Sequence, residues 1–398
     1  MTKRIKKIYL YFSLIFIVFL VGYPCLIVGD YYLQKIASLE AANSLSEAKK
    51  IEAERILKED VPQKKVAVQQ GYKALFFPET IDTYLPLKKL AKEMDAAPLA
   101  PQPYSKLYFC NEGYGLIKYE TDRFGFRNQD NLWDEKIDLI LIGDSFAHGA
   151  CVDEKDSIAF QLGSKLKLLN LATYGNHAIH YAALEKIFIP LLKPKYVVTI
   201  FYANDNEDDA DSLIYDYYFV QNKKYFESKN GELHLSKNTL DFYAKSDYLI
   251  ETLLTDNSPQ EFIKIFSQIS LFEKSLKYFS LPTIRRTINN YLKVGGWKSK
   301  LPSSNTLAID LLAAECLKNG CTPIIGYIPN NNFWRPDARS ANYAKMLGDY
   351  SHSKNITYID FTNILNEAGS AAYAPEGYHL SPKGYKLVSE SISNDLKK

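Results

Sequence analysis

Short apolar runs that end in turns recur along the chain after residue 135. Continuous runs of this kind are typical of strands buried in a parallel sheet. They predict strands within residues 136–145, 166–172, 196–203, 321–329 and 356–361. Helical stretches between them predict helices at 178–192, 306–318 and 340–351, and Ser381 followed by Pro382 predicts the start of a last helix. Strands that alternate with helices predict an α/β fold, a three-layer sandwich in which helices cover both faces of a parallel sheet.

The pattern differs at the start of the chain, where 22 consecutive residues, 8–29, carry no charge. A helix of that length spans about 33 Å, enough to cross the hydrocarbon core of a bilayer. Residues 1–7, MTKRIKK, are rich in Lys and Arg, which favours a cytoplasmic tail and an outward-facing remainder. We therefore predict a single-pass transmembrane anchor in a bacterial inner (cytoplasmic) membrane. A cleaved signal peptide is the alternative, but its apolar region would be shorter.

The remaining residues divide into a stalk, a linker and an outer domain. Residues 30–103 predict a helical stalk, which stops at Pro62, followed by a proline-rich linker. Residues 104–398 predict the outer domain, interrupted by a mixed insertion at about 207–302. Within the insertion, 215–226 and 228–235 predict hairpin strands, the second with an Asn-Gly turn. The dense aromatic residues of 215–226 predict either a platform for substrate or a small buried core.

Composition and charge exclude several classes of protein. Lys and Arg number 48 and Asp and Glu 46, so the net charge is only +2. Nucleic-acid binding by counterion release requires a clear basic excess, so we expect no nucleic-acid partner. Five cysteines in 398 residues exclude a small disulfide scaffold, and none has a Cys-x-x-Cys zinc spacing. We expect no metal and no cofactor.

Polar segments stand at four places where predicted strands end or the last helix begins, and ligands bind at that edge of a parallel sheet. The segments ILIGDSFAHG, LNLATYGNHA, FYANDNED and PEGYHLSPKGY contain Ser145, Gly175, Asn204 and His379. In residue type and order, they resemble the four signature blocks of the SGNH hydrolases, also called the GDSL lipase/esterase family. The resemblance covers residues 136–206 and 303–398 and implies the SGNH/flavodoxin-like sandwich.

The resemblance implies a role for each of these residues. Ser145 would be the nucleophile, activated by His379, because a serine hydroxyl needs a base to take its proton. The backbone N–H groups of Ser145 and Gly175 and the Asn204 amide would form the oxyanion hole. Asp144 and Asp205 are expected to support the turns on either side of the site by local hydrogen bonds.

The third member of the triad departs from the family pattern. The family places Asp three residues before the His, and here that position is Glu376. A glutamate carries the same carboxylate on a longer arm. We predict Glu376 as the partner of His379, with Asp360 or a Ser-His dyad as the alternatives.

Other candidate residues have simpler structural interpretations. His148, His177 and His180 are expected to line the pocket without binding metal. Residues 207–209 and 211 are acidic and are expected to form a solvated turn. DRFGFRN, residues 122–128, predicts a fixed turn near the site. Cys316 and Cys321 are expected to be buried thiols or, in an oxidising compartment, a bridge.

The predicted function is that of a membrane-anchored serine esterase which forms an acyl-enzyme. Its expected partner is an acylated glycan of the cell surface, most simply an O-acetylated one, or a small ester, in contact with envelope polysaccharide machinery. An O-acetyltransferase that uses the same residues is the first alternative, because exclusion of water decides between them. A non-catalytic glycan-binding or assembly protein with the same fold is the second.

Overall fold

The computed structural model describes residues 61–74, 81, 85–206, 212–230, 232–255, 300–330 and 338–397. These residues belong to one unit, which comprises 60–257 and 296–398. The predicted tail, the predicted anchor and the stalk as far as residue 60 lie outside the described residues, as does the acidic stretch 207–211. Within the described ranges, no helix is long and apolar enough to cross a membrane.

A five-stranded parallel sheet is the centre of the fold. In chain order the described strands are β1 (Lys73–Ala74), β2 (Lys106–Tyr108), β3 (Lys118–Glu120), β4 (Leu139–Gly143), β5 (Leu168–Asn170), β6 (Tyr196–Tyr202), β7 (Phe226–Lys229), β8 (Glu232–Leu235), β9 (Thr322–Ile328) and β10 (Thr357–Asp360). The large sheet has the order β10-β9-β6-β4-β5, and all its pairs are parallel. Strands β1, β2 and β3 form a small second sheet, and β7 and β8 pair as an antiparallel hairpin.

Helices lie on both faces of the large sheet. In chain order the described helices are α1 (Val61–Gln69), α2 (Leu85–Met94), α3 (Ser145–His148), α4 (Ile158–Gly163), α5 (Ala178–Leu192), α6 (Leu213–Tyr215), α7 (Lys237–Thr255), α8 (Ser303–Asn319), α9 (Ala338–Ser353), α10 (Thr362–Ala368) and α11 (Pro382–Asp395). The last begins as predicted, since the Ser381 side chain accepts from the Gly384 N–H and Pro382 follows it.

The central strands are mostly apolar because both faces of the sheet are buried there. Along β4, Ile140 and Ile142 pack into the core cluster that includes α5 and α8 side chains, whereas Leu139 and Leu141 pack into the cluster on the opposite face with α4 and α11. Successive side chains of a strand point to opposite faces, so a strand covered on both sides is apolar at most positions. The predicted α/β fold with a parallel sheet between helices is confirmed.

The order of the strands marks the end of β4 as the expected edge for ligand binding. The chain passes from β4 to β5 on one side and then to β6 on the other side of β4. Connections that diverge in this way leave an opening at the carboxyl ends of the strands, where ligands bind in open α/β sheets. Ser145 is the second residue after β4.

Two regions differ from the sequence predictions. The predicted linker is a packed segment: it includes α2 and contributes Leu87, Ala97 and Leu99 to the larger core cluster. Its prolines do not prevent this packing. Residues 213–220 form α6 and a π-turn in place of the first predicted hairpin strand. The second predicted hairpin is present as β7 and β8 with Asn230 at a positive φ of 54°.

The helical turn changes which aromatic residues are exposed. Tyr217 and Tyr218 are both buried in the main core. The Tyr218 hydroxyl donates to the Ala97 carbonyl at 2.6 Å. Tyr215 is 40% exposed and stacks on Phe219, four residues later, as neighbours on one helical face do. The aromatic cluster is therefore mainly core, and the predicted platform has little accessible surface.

Candidate active site

The turn after β4 carries the predicted nucleophile. Asp144 caps α3, and its side chain accepts from the Phe146 N–H at 2.9 Å. A Cβ on Gly143 would lie 2.6 Å from the Ala147 Cβ and 2.9 Å from the Ile200 carbonyl oxygen, so only glycine fits there. Strand, glycine and cap together fix Ser145 at the first residue of α3, with its side chain at the edge of the sheet.

His379 contacts Ser145 directly. The His379 Nε2 lies 2.9 Å from the Ser145 Oγ, although 234 residues separate them. His379 lies just before α11, where its carbonyl accepts from the Ala374 N–H at 2.9 Å, and the bridge between Tyr373 and Leu380 closes this loop. Both Ser145 and His379 are buried. The structure thus brings the predicted nucleophile and base into hydrogen-bond distance.

The carboxylate at the other side of the imidazole belongs to Glu112 and not to Glu376. The Glu112 Oε1 lies 2.8 Å from the His379 Nδ1, and Oε2 accepts from the His379 backbone N–H at 3.1 Å. Glu376 is exposed, and its backbone N–H donates to the Glu112 carbonyl at 3.3 Å. Asp360 is also exposed and accepts from the Thr362 N–H at 2.8 Å. Neither sequence-predicted carboxylate therefore occupies the position beside Nδ1.

Glu112 reaches His379 because two glycines allow close approach of their segments. The Asn111 side chain accepts from the N–H groups of Gly113 and Gly115 at 3.0 Å, which folds residues 111–115 into a tight turn. A Cβ on Gly113 would lie 2.5 Å from Pro375 Cγ, and a Cβ on Gly377 would overlap the Glu112 carboxyl group. The sequence feature that could have indicated Glu112 is this Asn-Glu-Gly-Tyr-Gly turn, which lies outside the region of family resemblance.

The predicted oxyanion residues lie on the two neighbouring turns. Gly175 has a φ of +76° in the turn after β5, a conformation that glycine adopts without strain. Asn204 is exposed in the 3₁₀ turn Ala203–Asn206, directly after β6. These turns and the start of α3 follow three adjacent strands, so they surround the end of β4.

A buried polar network holds the turn of Asn204. The Asp205 carboxyl accepts from the Tyr202 N–H at 2.8 Å and from the Tyr181 hydroxyl at 3.1 Å. The Asn305 side chain donates to the Asp205 carbonyl at 2.9 Å, and the Tyr343 hydroxyl donates to Asn305 at 2.6 Å. The turn is thereby tied to β6, α5, α8 and α9.

Burial dominates the electrostatics of the two aspartates beside the site. Burial raises the pKa of Asp144 to about 6, while the hydrogen bond from Phe146 opposes the shift. Burial, with the nearby charge of Asp144, also raises the pKa of Asp205 well above its ordinary value. The two carboxyl groups disfavour each other's ionisation, so this side of the site does not readily hold two negative charges.

The three histidines do not form a metal site with one another in the described residues. Burial lowers the pKa of His148 and lowers that of His180 to about 3, so both are neutral at pH 7. The His177 Nδ1 lies 3.9 Å from the Asp205 carboxylate. In the described residues, ligand atoms of Glu112, Cys151 and His379 lie within 4.8 Å of one another. Cys151 is bonded to Cys110, and a disulfide sulfur lacks the thiolate that binds metals.

The segment 122–128 supports the loop that follows α3. Asp122 is buried and accepts from the N–H groups of Phe124 and Phe126 at 2.9 and 3.0 Å. The Arg127 guanidinium donates to the carbonyls of Gly149 and Val152 at 2.9 and 3.2 Å. The predicted fixed turn is present, and it acts on the nucleophile loop through Arg127.

Two disulfides are described, Cys110–Cys151 and Cys316–Cys321, and the sequence interpretation left the first unrecognised.

Two tyrosines cover His379 at the mouth of the site. The Tyr378 ring lies 4.3 Å from the His379 ring, and the Tyr174 ring lies 6.0 Å from it. The Tyr174 and Tyr378 hydroxyls are 3.0 Å apart, and Tyr378 is 42% exposed. Phe109 packs against the edge of Tyr174 at 4.5 Å. An accessible aromatic surface therefore borders the serine and histidine pair.

Ser145 at the end of a parallel strand and His379 beside it agree with the sequence segments that contain them, whereas the carboxylate of Glu112 lies outside the four segments. The chain resembles the SGNH hydrolases. No family model matches it, and no curated protein matches it. Among solved structures, TesA matches with 10% identity and a TM-score of 0.36, over 65% of this chain and 97% of that protein.

Two further solved structures are similar to the chain. A G-D-S-L family protein from Desulfitobacterium hafniense DCB-2 matches with 14% identity and a TM-score of 0.31, over 64% of this chain and 97% of its own. A catalytic mutant of Axe2, an acetylxylan esterase from Geobacillus stearothermophilus, matches with 12% identity and a TM-score of 0.32, over 64% of this chain and 92% of its own.

Proposed function

We propose that the protein is a serine esterase that forms an acyl-enzyme on Ser145. The observation that carries the proposal is the continuous chain of contacts from Ser145 through His379 to Glu112, at 2.9 and 2.8 Å. A nucleophile, a base and an orienting carboxylate in this arrangement define a catalytic triad by geometry and role.

The geometry supports the following sequence of proton transfers. Glu112 accepts from the His379 Nδ1–H and so leaves Nε2 free to take the proton of Ser145. The Ser145 oxygen then attacks the ester carbonyl, and the imidazolium returns the proton to the departing alcohol. A water molecule repeats the sequence on the acyl-enzyme and releases the acid. Glu112 stabilises the imidazolium in both steps.

The developing oxyanion needs preorganised donors. The Ser145 and Gly175 N–H groups and the Asn204 side-chain amide are the proposed donors, since their turns surround the end of β4. Loss of one such donor typically costs about 2.7–4 kcal/mol of transition-state stabilisation. The network around Asp205 would act by holding the Asn204 turn still.

The proposed substrate is an O-acyl group, in the simplest case O-acetyl, on a glycan of the cell surface. Two observations support a sugar partner. The exposed Tyr378 ring and its partner Tyr174 offer aromatic area with polar edges beside the nucleophile, which suits stacking on a sugar ring. The uncharged stretch 8–29 after a basic start favours an anchor that holds the site outside the inner membrane, near envelope polysaccharides.

A fluorophosphonate probe tests the catalytic part of the proposal. We expect intact mass spectrometry to show one adduct on the native protein and none on Ser145→Ala, and we expect His379→Ala to slow labelling strongly. Native protein should also hydrolyse an aryl acetate. A native protein that neither labels nor hydrolyses would favour the glycan-binding alternative. Release of acyl sugar in place of free acid, when an oligosaccharide is added, would favour the transferase.

A reporter fusion tests the proposed location separately. A reporter active only outside the cytoplasm, fused after Lys398, should be active if residues 8–29 anchor the chain with its carboxyl terminus outside. Activity only of a cytoplasmic reporter would overturn the orientation and, with it, the argument for an envelope glycan.

A further inference from the structure

The carboxylate of the proposed triad comes from a part of the fold different from the nucleophile and the base. Ser145 follows β4 of the large sheet, and His379 precedes α11, which packs on that sheet. Glu112 lies between β2 and β3 of the small sheet. Its distance to the imidazole therefore depends on how the segment between β2 and β3 is attached to the nucleophile loop.

One covalent bond makes that attachment. Cys110, two residues before Glu112, is bonded to Cys151, six residues after Ser145, with the two Cα atoms 5.2 Å apart. The loop of Cys151 is in turn held to the nucleophile turn, since the Ala150 N–H donates to the Ser145 carbonyl at 2.9 Å. The Arg127 guanidinium donates to the carbonyls of Gly149 and Val152, which precede and follow the pair Ala150 and Cys151. The disulfide thus links the carboxylate segment to a rigid nucleophile loop.

The disulfide also lies against the base. The Cys151 Sγ is 3.4 Å from the His379 Nδ1, the nitrogen that contacts Glu112, and Cys151 is fully buried. The non-covalent ties between residues 111–116 and their surroundings include the bond from the Glu376 N–H to the Glu112 carbonyl, at 3.3 Å, and that from the Leu116 N–H to Gln63, at 2.7 Å. On the side that faces His379, the Glu112 carboxylate also accepts from the His379 backbone N–H at 3.1 Å, and the disulfide is the covalent tie beside these hydrogen bonds.

We propose that the Cys110–Cys151 disulfide is the positioning element that keeps Glu112 on the His379 Nδ1, so that turnover depends on this bond. The inference rests on the proposed esterase function. Without the bond, Glu112 spends less time at hydrogen-bond distance, and the imidazole is less often in the tautomer that accepts from Ser145. Because loss of a triad carboxylate costs about 10⁴-fold in kcat, partial loss of its position should cost about 10- to 1,000-fold.

A pair of double variants tests the proposal in the full chain. Cys110→Ala/Cys151→Ala removes the positioning disulfide. Cys316→Ala/Cys321→Ala removes the other disulfide, which joins the end of α8 to the start of β9 at the opposite edge of the sheet, and serves as the matched control. We expect the first to lower kcat for an aryl acetate with little change in KM, and the control to keep native kcat. Equal kcat for both variants and native protein would overturn the inference.

A cycle with Glu112→Gln separates positioning from general damage. If the disulfide acts through Glu112, its removal should cost nothing further once the carboxylate is gone, because residues that act as one unit are not additive. A loss that multiplies in the Glu112→Gln background would instead show a structural role and reject the proposal. Thermal unfolding of each variant reports any change in stability.

Reduction of the native protein tests the same inference without refolding a variant. A dithiol reductant gives up two electrons and two protons, so the protein disulfide becomes two thiols and the dithiol becomes its own disulfide. We expect kcat to fall in step with reduction of the Cys110–Cys151 bond, and not with that of the Cys316–Cys321 bond, the extent of each being read by mass spectrometry on samples alkylated after denaturation. Full activity after the Cys110–Cys151 bond is reduced would reject the inference alone. Oxidised protein without any labelling or turnover would reject the proposed function as well.

Discussion

Substitution of Gly377 by alanine should remove the carboxylate from the proposed triad without altering any triad residue. Gly377 lies two residues before His379, and a Cβ built on it would overlap the Glu112 carboxyl group. The obstructing atoms are the end of a flexible side chain, so the backbone has no need to move. The carboxylate must then turn away from the position at which it meets the His379 Nδ1.

The size of the effect follows from the contacts that are lost. The Glu112 carboxylate lies against His379 at two points, the ring nitrogen at 2.8 Å and the backbone N–H at 3.1 Å. A hydrogen bond to a charged group contributes about 1.5–3 kcal/mol. If the ring contact is strengthened in the transition state by that amount, its loss costs about 10- to 150-fold in kcat, at 1.36 kcal/mol for each factor of ten. Loss of the correct tautomer raises the cost towards about 10⁴-fold.

The assay is kcat and KM for an aryl acetate, with thermal unfolding in parallel. Gly163→Ala is the matched control, because a Cβ there meets no atom within 4 Å and its φ is not positive. We expect Gly377→Ala to lose at least about 10-fold in kcat with a small change in Tm. It should be no slower when combined with Glu112→Gln. Near-native kcat for Gly377→Ala would refute the role of Glu112 at Nδ1.

Three further predictions concern other parts of the molecule. Glu376→Gln should leave kcat close to native, because Glu376 is exposed and Glu112 occupies the position beside Nδ1; a large loss of rate would return the role to Glu376. Burial raises the pKa of Glu185 well above its ordinary value. Above about pH 5 the folded state therefore keeps a proton that the unfolded state loses. The free energy of unfolding then falls as the pH rises, by up to about 1.4 kcal/mol per pH unit. Glu185→Gln should lack that slope in denaturant titrations across pH, and parallel curves for the two proteins would contradict it. Tyr218→Ala should lose about 3–5 kcal/mol of unfolding free energy, since Tyr218 is fully buried, whereas the half-exposed Tyr215→Ala should lose much less by the same titration.

The sheet and its helices could be predicted from the sequence because both faces of the strands are buried. A strand covered on both sides is a continuous apolar run, and β6 and β9 stand out for that reason. Helix α5 was predicted at its observed bounds, Ala178–Leu192. Ser145 and His379 could be paired in advance because their segments resemble the SGNH signature blocks; Ser145 directly follows β4, at the edge where ligands bind, whereas His379 lies before α11.

Glu112 could not be found by the same reasoning. Its segment lies in a small sheet whose strands are two or three residues long, too short to show a period. The family spacing of carboxylate and histidine directed attention to residue 376, three residues before His379. The helical turn at 213–220 was missed for a related reason, since a run of aromatic residues has high β-propensity whether or not it pairs. In both places tertiary contacts, and not local pattern, decide the outcome.

The two glutamates show how one requirement is met by different chain connectivity. A carboxylate at Nδ1 holds the imidazole in the tautomer that accepts a proton at Nε2, and its Coulomb and hydrogen-bond interactions depend on where the carboxylate lies. A residue three positions before the histidine reaches Nδ1 through a short local turn. In this chain Glu376 at that position supplies a backbone N–H to the Glu112 carbonyl, and Gly377 leaves room for the incoming side chain. The loop before α11 therefore binds the Glu112 carboxylate, which comes from the segment between β2 and β3. The small sheet and the Cys110–Cys151 bond belong to the proposed active site for that reason.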